Sequence, residues 1–249
     1  MGFSSGTLPL TPMALPYFFV ADLQDTTLVL EEATSKHVIQ VLRMQQSEEL
    51  LLTDGKGKKA IAVITNDNRK RCEVTITSFD TEPLRTPQVT IALSIVKNAS
   101  RYEWFLEKAT EIGVTGIIPL LCERTEKEKF RYDRMQQILV SALLQSQQCW
   151  LPVLHQPVAF RDLLTRDVYD KKYIAHCLDQ QKLPLHQQPL DTSRHTLILI
   201  GPEGDFTPQE IDAALQQGFM PVTLGETRLR TETAGLVAAV WLCAGRSAV

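Results

Sequence analysis

The sequence predicts an α/β protein in which a small β-rich domain precedes an α/β domain built on a parallel sheet. The length of 249 residues predicts one to two domains at about 150 residues per domain. Up to about residue 80, short apolar runs alternate with turn signals. From Val89 onward, apolar strands alternate with amphipathic helical stripes, which is typical of a parallel sheet. Between them, the segment TEPLRTPQ (81–88), with two prolines, is the best candidate for a linker.

The amino-terminal domain is expected to hold one short helix among its strands. Thr34 or Ser35 is expected to cap this helix, and its buried face is expected to be Val38, Val41 and Leu42. A hairpin follows, with Asp54-Gly55 as its turn. The expected strands are Tyr17–Val20, Glu49–Thr53, Lys58–Ile64 and Cys72–Ile76.

The carboxyl-terminal domain shows a regular alternation of strands and helices. The expected strands are Val89–Val96, Gly116–Leu120, Tyr173–Cys177, Thr196–Ile200 and Pro221–Leu224. Helical spacing marks three buried stripes: Tyr102, Phe105, Leu106, Ala109 and Ile112; Met135, Ile138, Leu139, Ala142 and Leu143; Ile211, Ala214 and Leu215. Gly113 is expected to end the first of these helices, and Thr207 to Glu210 reads as a capping box that starts the third. A nearly all-apolar helix, Thr233–Ala244, closes the domain.

Composition and charge exclude several classes of protein. Hydrophobic residues make up 44% of the chain and charged residues 22%, which argues against disorder. With 26 Lys and Arg against 29 Asp and Glu, the net charge is −3. A non-specific nucleic-acid binder would be basic, whereas a local basic face is compatible with this balance. No apolar stretch approaches the roughly 20 residues of a membrane span.

The cysteines, histidines and amino terminus predict a cytoplasmic protein without a metal site. The chain has five cysteines and no CxxC pair, a pattern typical of buried or half-buried free thiols in a reducing compartment. The histidines show no metal-ligand spacing, so no metal is expected. The first twelve residues lack the features of a signal peptide, and Met13 is a plausible alternative start.

Two glycine-containing loops follow strands that are expected to end at the same edge of the sheet. The loop of residues 201–206 follows the strand LILI, and that of residues 225–233 follows VTL. Ligands of open parallel sheets bind at the carboxyl ends of strands, where glycine lets the backbone approach a ligand closely. The alternative is that these glycines only make tight turns. The nucleotide signatures GxxxxGK[ST] and GxGxxG and the hydrolase signature GxSxG are all absent.

Several segments together resemble one enzyme family. GPEGDFTPQEI (201–211) and LGETRLRTETAG (224–235) resemble the signature segments of the 16S ribosomal RNA (uracil-N3)-methyltransferases, which belong to the SPOUT superfamily of trefoil-knotted, S-adenosylmethionine-dependent enzymes. EKATEIGV (107–114) and IIPL (117–120) also match. KHVIQVLR (36–43) and LTDGKG (52–57) resemble the family's PUA-like module. The resemblance implies a PUA-like β-barrel RNA-binding domain at 13–82 and a knotted methyltransferase domain at 88–249.

The sequence departs from the family pattern at three places. Asp205 stands where the family usually has a second glycine after GPEG. Gln148 stands where the family often has an arginine, so one expected RNA or subunit contact is in doubt. Lys97-Asn98 replaces the family's Lys-Gly.

The resemblance implies a binding site for S-adenosylmethionine made of three loops. The residues carried over to the cofactor site are Leu199, Ile200, Gly201, Glu203, Gly204, Leu224, Gly225, Leu229, Arg230, Thr231 and Ala234. A further strand end, at Ala175 and His176, is a weaker candidate for the adenosine or methionine end of the cofactor. Backbone groups and apolar side chains are expected to hold the adenine.

The expected reaction is attack of uracil N3 on the sulfonium methyl group. The N3 proton must leave, so either a base removes it or a cation stabilises the imide anion on O2 or O4. The hypothesis assigns the second task to Arg230, with Glu232 or Glu203 orienting it or taking the proton. Alternatively, Glu232 is a plain carboxylate at a helix amino terminus.

Basic residues on the small domain are candidates for phosphate contacts. Lys56, Lys58 and Lys59 on one turn, Arg69, Lys70 and Arg71 on the next, and Arg43 are expected to form one basic edge. Lys97 and Arg101 are expected to face substrate from the catalytic domain. The alternative for each is an ordinary solvated surface charge.

The apolar last helix predicts a homodimer, because a surface helix would not be apolar on all sides. Trp104 and Trp241 are expected in the core or at this interface. The resemblance implies a uridine of 16S rRNA as the substrate, methylated on the assembled small ribosomal subunit. Two alternatives are a methyltransferase for a ribose 2′-hydroxyl in tRNA and a non-catalytic RNA-binding assembly factor.

Overall fold

The structure, a computed structural model, describes residues 15–24, 26–126, 129–188 and 195–244. Residues 1–12 and the alternative start at Met13 lie outside these ranges. The chain divides into two compact units, Met1–Glu82 and Pro83–Val249. The first unit is β-rich and the second is an α/β unit on a parallel sheet, so the predicted fold class is confirmed.

The first unit is built on a five-stranded sheet in the order β1-β3-β4-β5-β2. Its strands are β1 (Tyr17–Phe19), β2 (Thr27–Val29), β3 (Glu49–Thr53), β4 (Lys58–Asn66) and β5 (Glu73–Thr81). The β1–β3 pair is parallel, and the other pairs are antiparallel. Alternate side chains of β3 and β4, such as Leu50, Leu52 and Ala62, are buried in one core. This alternation is the reason the period-two pattern predicted these strands correctly.

The helix of the first unit begins earlier than predicted. Helix α1 (Glu32–Lys36) starts without a side-chain cap, so the prediction that Thr34 or Ser35 caps it is wrong. Ser35 is buried within the helix instead. Its hydroxyl donates to the carbonyl of Leu30 (2.9 Å) and accepts from the backbone N–H of Cys72 (3.0 Å).

The predicted buried face of this helix is only partly correct. Val38 is buried, but Val41 is 68% exposed and Leu42 is exposed as well. Residues His37–Val41 form a π-helical turn in which the N–H of Leu42 bonds to the carbonyl of His37, five residues back. The wider turn moves Val41 and Leu42 away from the face of Val38.

The second unit contains an eight-stranded sheet whose strand pairs within the described residues are all parallel. The strand order is β11-β13-β10-β12-β6-β7-β8, with β9 also beside β7. The strands are β6 (Gln88–Ser94), β7 (Gly116–Leu121), β8 (Val153–Leu154), β9 (Val158–Ala159), β10 (Lys171–Ala175), β11 (Leu183–Pro184), β12 (His195–Ile200) and β13 (Met220–Thr223). The sequence did not predict β8, β9 and β11, because two residues carry no periodicity.

Helices cover both faces of this sheet. The helices are α2 (Ala99–Ile112), α3 (Tyr132–Gln145), α4 (Phe160–Leu164), α5 (Pro208–Gln216) and α6 (Thr231–Cys243). Neighbouring residues of β6 serve different cores: Ile91 and Leu93 pack with α2, α3 and α6, and Ala92 packs with α4 and α5. The predicted helix signals are confirmed at two ends, since Gly113 adopts φ +93° after α2 and Thr207 makes both bonds of a capping box at α5.

Candidate active site

A cavity of about 550 Å³ lies at the carboxyl ends of three neighbouring strands of the second unit. Strands β10, β12 and β13 end at Ala175, Ile200 and Thr223, and the loops that follow them form the cavity wall. This is the edge at which open parallel sheets bind ligands. The wall also includes the first turn of α6.

In the loop after β12, the backbone of Gly201 lies close to Phe206. A Cβ at Gly201 would lie 3.1 Å from the ring of Phe206 and 3.2 Å from its backbone nitrogen. The hydroxyl of Thr231 donates to the carbonyl of Gly201 over 3.0 Å, which joins the start of α6 to this loop. The glycine predicted here for close backbone approach therefore has a packing reason within the protein itself.

The loop after β13 carries two arginines. The hydroxyl of Thr223 donates to the carbonyl of Gly225 over 2.9 Å, and Gly225 has φ +135°. The Arg228 guanidinium lies 3.4 Å from the carbonyl oxygen of Glu203, in the loop after β12. Arg230 lines the cavity and is exposed. Among the described residues, no carboxylate lies within ion-pair distance of Arg230, so its guanidinium can meet a negatively charged group of a substrate.

The loop after β10 places a buried histidine in the cavity wall. His176 is 6% exposed, and neither ring nitrogen has a hydrogen-bond partner among the described residues. Burial, assisted by the charge of Lys182, lowers its pKa. The Lys182 ammonium donates to the carbonyls of His176 (3.0 Å) and Leu178 (2.7 Å), which holds the loop. Leaving a buried polar group unsatisfied destabilises a fold, so this imidazole is suited to a bound ligand.

Most residues expected at the cofactor site line the cavity. These residues are His176, Ile200, Gly201, Glu203, Leu224, Gly225, Leu229, Arg230, Thr231 and Ala234, and the weaker candidate Ala175 also lines it. Leu199 and Gly204 do not. Successive side chains of a strand point to opposite faces, and the side chain of Leu199 is fully buried in the core under α4 and α5. Gly204 packs beside the side chain of Arg124.

The residues expected to perform catalysis occupy two separate places. Glu203 lines the cavity with Arg230, and its Oε1 accepts from the backbone N–H of Lys97 over 3.2 Å. Glu232, only 6% exposed, lies in the first turn of α6 and outside the cavity wall. Its carboxylate is 3.6 Å from the Nε of Arg101. Of the two carboxylates considered as partners of Arg230, Glu232 is therefore paired with Arg101 instead.

Several cavity residues were not singled out as site residues from the sequence. These are Cys177, Lys182, Pro202, Asp205, Val222, Thr223, Glu226, Thr227 and Arg228. Asp205 carried a signal, since it departs from the family pattern. Lys182 carried none, because it reaches the wall only through a loop whose path the sequence pattern does not predict.

The basic residues of the first unit do not form one edge as predicted. Lys56, Lys58 and Lys59 lie at the start of β4, and Arg69 and Arg71 follow its end. Since seven residues of β4 follow Lys59, about 23 Å of strand separates the two groups. Arg43 belongs with the second group, because Ser47, shortly after it, bonds to Ile64 near the end of β4.

The two groups also differ in the contacts that their charged side chains make. Lys59 forms an ion pair with Glu82, and the Lys56 ammonium lies 3.4 Å from the carbonyl of Ala21. Arg43, Arg69 and Arg71 are exposed. Within the described part of the chain, none of these three arginines has a carboxylate at ion-pair distance. In the second unit, the two residues expected to face substrate each meet a carboxylate: Lys97 is exposed and pairs with Glu126 over 2.9 Å, and Arg101 pairs with Glu232.

The cysteines are free thiols, and the described residues contain neither a metal-binding cluster nor a membrane-spanning helix. All five cysteines lie in the described residues as free thiols; Cys177 is exposed and the other four are buried. The described ranges contain no group of three or more His, Cys, Asp or Glu side chains that could hold a metal ion. They also contain no helix of the length and apolarity that crossing a membrane requires.

Comparison with known families and proteins agrees with this geometry. Residues 82–243 match the RNA methyltransferase domain, and residues 30–77 match the RNA methyltransferase PUA domain. Over 219 residues the chain is 30% identical to ribosomal RNA small subunit methyltransferase E of Synechocystis, covering 86% of this chain and 72% of that protein.

Solved structures of similar proteins match over most of the chain. A probable rRNA-methyltransferase from Porphyromonas gingivalis is 36% identical, with a TM-score of 0.86 over 92% of this chain and 99% of that one. Ribosomal RNA small subunit methyltransferase E from Neisseria gonorrhoeae, bound to S-adenosyl methionine, is 32% identical, with a TM-score of 0.81 over 91% and 95% of the two chains. The chain therefore belongs to the ribosomal RNA small subunit methyltransferase E family of RNA methyltransferases.

Proposed function

We propose that this protein uses S-adenosylmethionine to methylate N3 of one uridine in 16S ribosomal RNA of the small subunit. The observation that carries the proposal is the three-loop cavity at the carboxyl ends of β10, β12 and β13, in a chain whose relative from Neisseria gonorrhoeae is a small-subunit rRNA methyltransferase bound to S-adenosyl methionine. The enzyme would act where ribosomes are assembled, in the cytoplasm.

The cavity fits a small polar cofactor on three counts. Its volume of about 550 Å³ lies in the range of small-molecule sites. Among the described residues, neither buried ring nitrogen of His176 has a hydrogen-bond partner, so a ligand can satisfy them. Ile200, Leu224 and Leu229 supply apolar wall beside the backbone of Gly201, a combination suited to a nucleoside.

The side chains at the cavity can support loss of the N3 proton. When bound, S-adenosylmethionine supplies the sulfonium methyl group that N3 of uracil receives. Arg230 would stabilise the negative charge that develops on O2 or O4 as the proton leaves. Glu203, exposed in the same wall, would accept that proton. Glu232 would act indirectly, by holding Arg101 from within the first turn of α6.

The first unit would bind the RNA, with its arginine-bearing end making the phosphate contacts. Arg43, Arg69 and Arg71 are exposed, whereas Lys59 is already paired with Glu82. We expect the double variant Arg69→Ala/Arg71→Ala to weaken binding to 16S rRNA and to reduce the slope of log affinity against log salt by about two.

The matched control for that experiment is Lys56→Ala/Lys58→Ala, at the other end of β4. It should change the salt slope less. A larger effect from the lysine pair would move the RNA contacts to the opposite end of the first unit.

We also propose that the protein works as a homodimer. Val240 on α6 is 46% exposed, and Leu236, Val237 and Trp241 beside it are only partly buried. Trp104 is exposed on α2, which packs against α6. A second copy of this chain would bury these apolar side chains. We further propose that the second unit contains the deep trefoil knot that the family resemblance implies.

The experiment that tests the function is a methylation assay with identification of the product. The protein is incubated with labelled S-adenosylmethionine and small ribosomal subunits from a strain that lacks this gene, and the RNA is digested to nucleosides. We expect label in 3-methyluridine from one 16S site. Label in a 2′-O-methylated nucleoside would show that the protein methylates a ribose 2′-hydroxyl instead of uracil N3. If the protein binds the cofactor but transfers no methyl group to the RNA, while a control methyltransferase is active in the same assay, the protein is a non-catalytic assembly factor.

A further inference from the structure

Asp205, in the loop between β12 and α5, adopts a backbone conformation that favours glycine. Its φ is +62°, in the left-handed region. Its backbone N–H donates to the carbonyl of Pro202 over 2.9 Å, which closes a tight turn. An aspartate persists at such a position when its side chain makes local bonds that offset the strain.

The carboxylate of Asp205 bonds two backbone N–H groups, one of which belongs to another loop. Oδ1 accepts from the N–H of Phe206 over 2.8 Å. Oδ2 accepts from the N–H of Cys177 over 2.8 Å. Cys177 is in the loop after β10, so the second bond fastens together the loops that follow two neighbouring strands. Both Asp205 and Cys177 line the cavity.

This bond lies directly beside the buried histidine of the cavity wall. His176 precedes Cys177, and the ammonium of Lys182 holds the carbonyl of His176. The backbone around His176 is thus fixed by Asp205 on one side and by Lys182 on the other. A residue at position 205 without an acceptor would leave the N–H of Cys177 unbonded and that side of the loop free to move.

We propose that Asp205 is a positioning residue that fastens the loop after β10 to the loop after β12 and thereby holds His176 in the wall of the cofactor cavity. This inference rests on the proposed function of the cavity. Since the resembling family usually has glycine at this position, a side-chain bond here replaces the conformational freedom that glycine would give. The two loops would be ordered before the cofactor binds, which reduces the entropy lost on binding.

The test compares Asp205→Gly and Asp205→Asn with the parent protein. Glycine keeps φ +62° without strain and removes only the carboxylate. Asparagine tolerates the same φ and keeps one acceptor oxygen, so it can retain one of the two bonds. The matched control is Asp212→Asn, a carboxylate on the exposed side of α5.

Of two measurements on the cofactor-free protein, hydrogen exchange reports the bond directly and alkylation reports the charge of Asp205 beside Cys177. Hydrogen exchange of the segment 175–182 should be faster in Asp205→Gly than in the parent. Alkylation of Cys177, the exposed cysteine of the five, should also be faster. Burial raises the pKa of its thiol and the charge of Asp205 raises it further, so removing that charge increases the thiolate fraction.

Two further measurements report the effect on the cofactor. We expect the Kd for S-adenosylmethionine, measured by calorimetry, to rise about tenfold in Asp205→Gly and less in Asp205→Asn. The KM for the cofactor should follow the Kd, while kcat at saturating cofactor stays within about twofold of the parent value. Thermal unfolding confirms that each variant folds.

An unchanged Kd for the cofactor in Asp205→Gly would overturn the proposal. An unchanged rate of hydrogen exchange in segment 175–182 would also overturn it. If the parent protein binds no S-adenosylmethionine while hydrogen exchange in segment 175–182 still responds to the substitution, the proposed function fails and the loop connection stands.

Discussion

At the scale of single residues, Arg230 and Glu232 are two positions apart in the chain but have different surroundings. Arg230 is exposed in the cavity wall, and Glu232 is buried against Arg101. The backbone N–H of Ala234 bonds to the carbonyl of Arg230 over 2.8 Å, so α6 begins immediately after this arginine. The start of the helix therefore fixes the Arg230 backbone while leaving its guanidinium open to a substrate.

Replacing Arg230 should lower the turnover number far more than it changes the affinity for the cofactor. We expect Arg230→Ala to reduce kcat by about 10²- to 10³-fold, as removal of a charge-stabilising donor does in other active sites. The Kd for S-adenosylmethionine should change by no more than about threefold. Single-turnover kinetics and calorimetry measure the two quantities. An equal loss of kcat and of cofactor affinity, or no loss of either quantity, would contradict the role given to Arg230. The control is Arg161→Ala, at an exposed position on α4.

Two histidines of the second unit are expected to make the free energy of unfolding depend on pH. Burial lowers the pKa of His155, and so do the charges of Arg166 and His195; burial also lowers the pKa of His195. The unfolded chain takes up these protons near pH 6.5, whereas the folded chain takes them up only at lower pH. The unfolded state thus binds more protons below about pH 6.5, so the free energy of unfolding should fall there and level off below the folded pKa values.

Urea unfolding at about pH 7.5 and about pH 5.5 measures this effect. His195→Gln should reduce the decrease between the two pH values, because one of the titrating groups is gone. His186→Gln, at an exposed position, is the control and should behave like the parent. Stability that is constant or higher at the lower pH would exclude the mechanism.

At the scale of elements, helix α6 depends on one glycine for its distance from the sheet. A Cβ at Gly235 would lie 2.7 Å from the ring of Phe105 and 2.9 Å from a methyl carbon of Leu93. Neither α2 nor β6 can move away easily, since both neighbours are fully buried. The close approach also holds the first turn of α6, with Arg230 just before it, at the cavity.

We expect Gly235→Ala to destabilise the protein although alanine is the better helix former. Overpacking costs about 1–3 kcal/mol, against a gain of up to about 1 kcal/mol in helix propensity. Urea unfolding should therefore show a net loss of about 1 kcal/mol. In the double variant with Phe105→Leu, the loss should be smaller than the sum of the two single losses. A stabilised Gly235→Ala protein would show that α6 can shift freely.

The elements that sequence periodicity predicted well are those whose pattern is local. In α2 and α3 the apolar spacing alone marks the buried face, and Gly113 and Thr207 mark helix ends through their own backbone and side-chain chemistry. The π-helical turn at His37–Val41 was not predictable, because one extra residue in a turn changes the buried face without changing composition.

At the scale of the whole molecule, the apolar side of α6 is the feature that supports the proposed homodimer. The helix buries Ala238, Ala239 and Leu242 within its own unit, which leaves Val240 exposed on the other side. An exposed apolar stripe on a helix is typical of a subunit interface.

We expect Val240→Glu to convert the proposed dimer into a monomer, because the carboxylate would be buried without a partner. Light scattering after size-exclusion chromatography measures the mass. Val168→Glu is the matched control, since Val168 is 66% exposed on the same unit and lies outside α6. A parent protein that is already monomeric, or a dimer that tolerates Val240→Glu, would remove α6 from the interface.

The amino-acid sequence by itself determined the fold class, most strands and helices, and the loops that form the cavity wall, because periodicity, capping signals and glycine positions act over a few residues. Tertiary structure alone decided which charges meet. It paired Glu232 with Arg101 instead of Arg230, placed the basic residues of the first unit at two ends of β4, and brought Asp205 to the N–H of Cys177. These contacts join residues far apart in the chain, so they depend on strand order and helix packing, which no local pattern encodes.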